Sequence, residues 1–380
     1  MKIGIEATFT PHGGSLVHLH EFIKEIAKNY KKSEIILYLK KENIEIMDKF
    51  VLEKCTIKII NSASYGNFLR LLWSQFVLPL SAIINRINVL FCPGNFSPIL
   101  KTTRVKAQWI ATIGPFCKDM YRRERALTRL ILYVNKLLIL ISSRTSNVVI
   151  HQAEFSKRLF EKKYGLNKNN QYIIQCGKDD FYDTNFKTDN IKAIISDISK
   201  NDFLCVSHLF PYKNIELLIE VFHDFLRKFS IQSKLYIIGK KMSYPYYLKL
   251  ENIIESLDIR ENIIFTELSD KQDLKYAYSN CKLFIFPSLC ESSGYTLIEA
   301  MSCGAPILAS DKTAIPFTCG NAAEYFDAYD KNDFFLKLEE IALDESKLKI
   351  MKKKSLERSS EMINYQKATN IFLNIVKSKI

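Results

Sequence analysis

At 380 residues, 47% hydrophobic and 25% charged, the chain is long enough for two domains with their own cores and too apolar for a disordered one. Its formal net charge of +13 is uneven: residues 1–180 carry 28 Lys and Arg against 14 Asp and Glu, and no acidic residue lies between Glu53 and Asp119, a run holding both tryptophans, Trp73 and Trp109. Such a basic half suits an anionic membrane face, a lipid-pyrophosphate acceptor or a plain solvated surface, while the lack of a recognition helix, zinc finger or RNA-binding signature argues against nucleic acid.

In chain order, Met1-Lys2-Ile3-Gly4-Ile5 opens a strand rather than a signal peptide. Strands are predicted at Lys2–Ile5, Glu34–Leu39, Thr56–Ile60, Val89–Phe91, Val105–Ile113, Asn147–Ile150 and Tyr172–Gln175. Amphipathic stretches such as Leu16–Tyr30, Phe68–Ile84 and Ala153–Tyr164 separate them, so the pattern is a parallel, doubly wound sheet with ligands at the strand C-terminal ends. After the first strand, Thr10-Pro11-His12-Gly13-Gly14-Ser15 leads into a helix, and a glycine pair there frees the backbone to approach an anion. His18 and His20 face apart at helical spacing, which argues against a metal site. The apolar run Leu127–Ile141 contains Arg129, Asn135 and Lys136 and is expected to be a buried helix, too short to span a bilayer. The nine cysteines show no C-x-x-C pair and read as buried thiols in a reducing cytosol.

Residues from about Lys178 to Asn201 have weak periodicity and mixed charge, as a hinge would. The alternation then restarts. Phe203–Val206 is a strand, followed by Ser207-His208-Leu209-Phe210-Pro211-Tyr212-Lys213-Asn214 and a helix over Ile215–Phe229. A lysine in a strand-to-helix loop is placed for a point-charge contact to a diphosphate. Further on, Leu283–Phe286 leads into PSLCESSGYTLIEAMSCGAP, Pro287–Pro306: a buried strand, a glycine-bearing turn, a short helix and a Gly-x-Pro stop. The helix start suits a phosphate, Gly294 lets a ligand approach the backbone, and an ionised Glu299 can accept from two sugar hydroxyls. Glu291 sits on the turn, so the stretch is shaped for a polyol–phosphate–polyol ligand, a nucleotide sugar.

ESSGYTLIEAMSCGAP resembles the E-x7-E signature of family 4 retaining glycosyltransferases, the group 1 glycosyltransferases. The resemblance implies the GT-B fold, an α/β architecture of two facing Rossmann-like domains with parallel sheets and an interdomain cleft. It implies an acceptor-side domain over 1–178, a hinge at 179–201, a nucleotide-sugar-binding domain over 202–360 and a C-terminal helix, 361–380, crossing back to the first domain. By resemblance Glu291 contacts the donor sugar and Glu299 the ribose, and the amides around Ser293, Gly294, Tyr295 and Thr296 hold the diphosphate. Gly13 and Gly14 match a pair that faces the donor phosphates, and Leu268, with Ser269, stands where relatives contact the base. Lys213-Asn214 matches the end of the family's G-R-x-x-x-x-K-G/N loop, with His208 at the arginine position. Thr112-Ile113-Gly114 lacks the histidine that many relatives aim at the sugar.

The expected activity is metal-independent, retaining transfer of a hexose-type sugar, with Glu291 and Lys213 as catalytic residues. No cofactor is expected; the substrate is a nucleotide diphosphate sugar, in UDP or GDP form. Asp179-Asp180, the nearest imitation of a D-x-D metal site, falls at the hinge. The expected acceptor is a saccharide or lipid-pyrophosphate-linked oligosaccharide in bacterial surface polysaccharide (O-antigen or capsule) synthesis. The protein is expected in the cytoplasm, peripheral on an anionic inner membrane face through its basic N-domain. Two other readings are a sugar-nucleotide epimerase of the same architecture and a non-catalytic nucleotide-sugar-binding partner subunit.

Overall fold

Runs of β-branched and aromatic residues, apolar at consecutive rather than alternate positions, form strands covered on both faces. Ile35–Leu39 and Leu283–Phe286 are buried throughout. The computed structural model describes residues 1–9, 14–45, 47–61, 67–185, 191–267 and 270–380. They divide into two units: residues 1–116, 126–177 and 363–380, and residues 117–125 with 178–362.

The first unit holds a seven-stranded parallel sheet of β1 (Ile3–Ala7), β2 (Ile35–Leu39), β3 (Thr56–Ile59), β4 (Val89–Cys92), β5 (Val105–Ile110), β6 (Val148–His151) and β7 (Gln171–Ile173). Its order is β3-β2-β1-β4-β5-β6-β7. On one face the helix Gly14–Lys28 and the C-terminal helix Tyr365–Lys377 share a core in which Phe22, Phe91, Trp109 and Phe372 pack ring against ring. Asn364 caps that last helix by accepting from the Lys367 N–H. On the other face Trp73, Leu78 and Ala82 close over Ile36, Tyr38 and Leu90.

The helix Ala126–Thr145 corrects one expectation. It is not a buried helix: Leu132, Ile139 and Leu140 are covered, but Leu127, Leu130, Ile131, Val134, Leu137 and Ile141 are exposed. The heptad-like spacing marks an apolar stripe without saying which side meets the sheet. Here the stripe that meets it is the smaller one, with Ser142 and Ser143 completing it.

The second unit holds a six-stranded parallel sheet of β8 (Phe203–Val206), β9 (Leu235–Ile238), β10 (Ile263–Thr266), β11 (Leu283–Phe286), β12 (Ile307–Ser310) and β13 (Ala323–Phe326), in the order β10-β9-β8-β11-β12-β13. The helix Ile215–Phe229 buries Leu218, Ile219, Phe222 and Phe225 against it, as their 3–4 spacing requires. The chain reverses its direction of winding between β8 and β11. Those strands are neighbours, pairing Leu283 with Phe203 and Phe284 with Leu204, so the loops leaving their C-terminal ends emerge side by side.

Candidate active site

The two loops at this switch point carry Lys213 and Glu291. Leu289 N–H donates to the Tyr212 carbonyl (2.9 Å), tying one loop to the other. Lys213 Nζ then donates to Glu291 Oε1 at 2.5 Å, with each side chain only 14% exposed. The ammonium also lies 5.1 Å from the Tyr212 ring centroid and 5.5 Å from that of Phe286. Burial alone would push the Lys213 ammonium down. The Glu291 carboxylate outweighs it and holds the group well above the usual lysine range. The lysine expected to meet a phosphate and the glutamate expected to meet a sugar are thus each other's partner.

Each loop is fixed in turn. Glu291 N–H donates to Thr313 Oγ1 (2.9 Å), a residue in the left-handed region at φ 54°. Asn214, also left-handed at φ 58°, ends the Lys213 turn and donates through Nδ2 to the Ala328 carbonyl (3.1 Å). His208 Nδ1 accepts the Lys240 N–H (3.0 Å), which leaves the ring proton on Nε2 and makes that edge a donor. The approach depends on Gly239. A Cβ there would stand 2.1 Å from the Ser207 carbonyl oxygen and 2.8 Å from His208 N.

Past Glu291 the chain reaches Ser293, whose carbonyl accepts from Thr318 Oγ1 (2.5 Å). Gly294 follows at φ 69°, ψ 63° and opens the helix Tyr295–Ser302. Tyr295 is buried, Thr296 half-buried. Glu299, one turn on, is buried and accepts from Tyr278 OH at 2.9 Å. Burial pushes its carboxyl up to about 7, against the opposing pull of the Tyr278 and Tyr182 hydroxyls. It is not a solvated helix-face glutamate. Nearby, Asp179 pairs with Lys271 at 2.5 Å.

Gly14 is the first residue of the helix Gly14–Lys28 in the first unit. Gly13, Leu268 and Ser269 lie outside the described residues.

Two features escaped the sequence. Arg123 lies in a segment that belongs to the second unit. Its Nη1 donates to Glu216 Oε1 (2.6 Å) and the Pro211 carbonyl (3.0 Å), and its Nη2 to Asn214 Oδ1 (3.0 Å), clamping the Lys213 turn. Nothing local separates it from Arg122 and Arg125. The second is a correction to the expectation of nine free thiols: Cys117 and Cys290 form a disulfide, anchoring the same segment to the residue before Glu291. The other seven cysteines are buried thiols outside any disulfide. A bridge across 173 residues has no spacing signal.

Comparison with known proteins shows what this region resembles. The model for glycosyl transferases group 1 matches residues 186–358. Of the chain, 48% aligns at 29% identity with serotype-specific mannosyltransferase WbdA of Escherichia coli, covering 23% of that protein. A further alignment, 25% identical, covers 40% of the chain and 44% of O-antigen chain mannosyltransferase RfbU of Salmonella typhimurium. The aligned stretch is thus less than half the length of either relative. The structure of HepE from Anabaena, in complex with UDP and glucose, superposes with a TM-score of 0.72 over all of both chains at 14% identity. The fold is GT-B. Lys213, Glu291, Gly294 and Glu299 all lie within the stretch that this family model matches.

Proposed function

We propose that the chain is a retaining glycosyltransferase of family 4 that moves a hexose-type sugar from a nucleotide diphosphate sugar to a lipid-linked oligosaccharide in bacterial surface polysaccharide synthesis. The observation that carries this is the Lys213–Glu291 pair at the switch point of a nucleotide-binding type of sheet, beside a glycine-opened helix with a buried carboxylate one turn in. WbdA and RfbU bear the word mannosyltransferase in their names, which favours mannose among hexoses.

In this reading the diphosphate sits at the start of the helix Tyr295–Ser302, where first-turn amides and the helix dipole favour an anion. Glu299 accepts from the ribose hydroxyls. When the donor enters, Lys213 turns from Glu291 toward the diphosphate, joined by the His208 Nε2–H, and Glu291 is released to hold the sugar. The bond from the anomeric carbon to the diphosphate breaks, the leaving oxygen keeps the electron pair, and the acceptor oxygen attacks on the same face. Its proton passes to the departing phosphate. Lys213 stabilises the charge that develops there, an effect worth about 2–4 kcal/mol for one such contact. The positive charge comes from the chain, and no metal is invoked. The protein works at the cytoplasmic face of the membrane, where its basic first unit meets anionic lipid.

The test is thermal stability with UDP, GDP, ADP and CDP, each with and without EDTA, on wild type and Glu299→Ala. A nucleotide at 100 times its dissociation constant adds about 2.7 kcal/mol. One nucleotide should stabilise wild type regardless of EDTA and leave Glu299→Ala unmoved. Stabilisation by none, or equal stabilisation of the variant, overturns the site; an inverted anomer in the product by NMR overturns the stereochemistry.

A further inference from the structure

Two helices of the first unit present apolar side chains outward. In Phe68–Ile84, which includes a π turn at Trp73–Val77, the exposed side carries Phe68, Leu72, Phe76, Leu80 and Ile84, and Ile84 is 79% exposed. In Ala126–Thr145 the outward stripe is headed by Leu127, at 70%. One crossover runs from β3 to β4 and the other from β5 to β6. Both move the same way along the sheet, so right-handed crossovers put both helices on one face.

Hydrogen bonds join them. Gln75 takes the Ile99 N–H on Oε1 (2.9 Å). Lys106, fully buried, donates through Nζ to the Pro98 and Ile99 carbonyls (2.5 and 3.2 Å) and to Thr145 Oγ1 (2.7 Å). Segment 97–100 is therefore pinned between the helices, and its Ile99 and Leu100 are exposed, extending one apolar face toward the other. A soluble monomer rarely leaves so many large apolar side chains together in water.

The charge around this face says what covers it. Arg86, Lys101, Arg104, Arg129 and Arg144 are exposed, and neither helix nor the pinned segment 97–100 holds an acidic residue. A second copy of the chain docked through these two helices would bring cation against cation, with no carboxylate on either helix to offset them. A surface of lipid phosphates neutralises them and takes up the apolar side chains. The helix Ala126–Thr145 has the length and composition to span a bilayer. Its other side, however, is bound to the sheet: Leu132 and Ile139 are buried, and Gln108 Nε2 donates to the Ile139 carbonyl (3.4 Å).

We propose that this face is a monotopic membrane-docking surface. The apolar sides of Phe68–Ile84 and Ala126–Thr145 enter the headgroup–acyl boundary of an anionic bilayer, and the flanking Arg and Lys pair with lipid phosphates. This deepens the membrane part of the function proposed above, replacing adhesion by charge alone with shallow insertion.

Sedimentation with phosphatidylcholine–phosphatidylglycerol vesicles, without donor or acceptor, tests it apart from any transfer chemistry. Wild type should bind, prefer these vesicles to pure phosphatidylcholine, and stay partly bound in high salt. Phe76→Ser/Leu80→Ser/Val134→Ser/Leu137→Ser, all exposed positions, should weaken binding at least about tenfold while keeping the wild-type circular dichroism spectrum. Absence of wild-type binding, complete release by salt, or wild-type binding by the quadruple variant overturns the proposal. So does a wild-type dimer in lipid-free solution that the quadruple substitution splits. Loss of vesicle binding leaves the nucleotide result unaffected, and failure of the nucleotide test leaves the docking surface standing.

Discussion

Lys213 and Glu291, 78 residues apart in sequence, meet at 2.5 Å because the strands that precede them, β8 and β11, are neighbours in the sheet. The pair is nearly sealed from water, so each charge depends on the other for solvation. Lys213→Met should cost about 3 kcal/mol in urea unfolding, the low end of the range for breaking a buried pair, since some exposure remains. Lys213→Met/Glu291→Leu should recover most of that loss while remaining inactive. Single variants as stable as wild type would show that the pair contributes nothing to the fold.

Glu299 gives the protein a pH dependence of defined sign. Its carboxyl is raised from 4.5 to about 7, so the folded state holds the proton more tightly than the unfolded chain. The stability this contributes is full below pH 4.5 and is lost as pH rises through 7, by up to about 3 kcal/mol. Glu299→Gln should flatten that part of the curve. The ionised carboxylate accepts from two ribose hydroxyls more strongly than the acid, in which one oxygen becomes a donor, so nucleotide affinity should rise over the same window with release of a proton, measurable by calorimetry in buffers of different ionisation enthalpy. Nucleotide affinity independent of pH between 5 and 8 would remove Glu299 from the ribose site.

Gly239→Ala forces a Cβ onto the Ser207–His208 backbone, which cannot yield as a flexible side chain would. A loss of about 3 kcal/mol is expected. The accompanying shift of His208 should also weaken nucleotide diphosphates more than the corresponding monophosphates. An unchanged urea midpoint would show that the loop gives way freely.

The Cys117–Cys290 bridge predicts that the unfolded protein exposes seven thiols to Ellman's reagent without reductant and nine after reduction. Reduction should cost about 2–4 kcal/mol of stability, an effect absent from Cys117→Ser. Nine thiols titrating without reductant would rule out the bridge.

The sequence by itself determined whatever is written in short-range pattern. Seven of seven predicted strands of the first half occur within a few residues of their expected places, because consecutive apolar β-branched runs have no other stable use in a parallel sheet. Helix Ile215–Phe229 and the strand–turn–helix running from Leu283 to Ser302 follow from spacing and glycine in the same way. Only the tertiary structure decided the pairings. Arg123 reaches Asn214 across 91 residues and Cys117 reaches Cys290 across 173, distances at which no local signal survives. It also decided that Glu299 is sealed under Tyr278, and that the apolar stripe of Ala126–Thr145 faces outward rather than into the core. Periodicity fixes that a helix has an apolar side. What covers that side depends on which strands lie beneath the helix, and strand order is settled only when the whole sheet has formed.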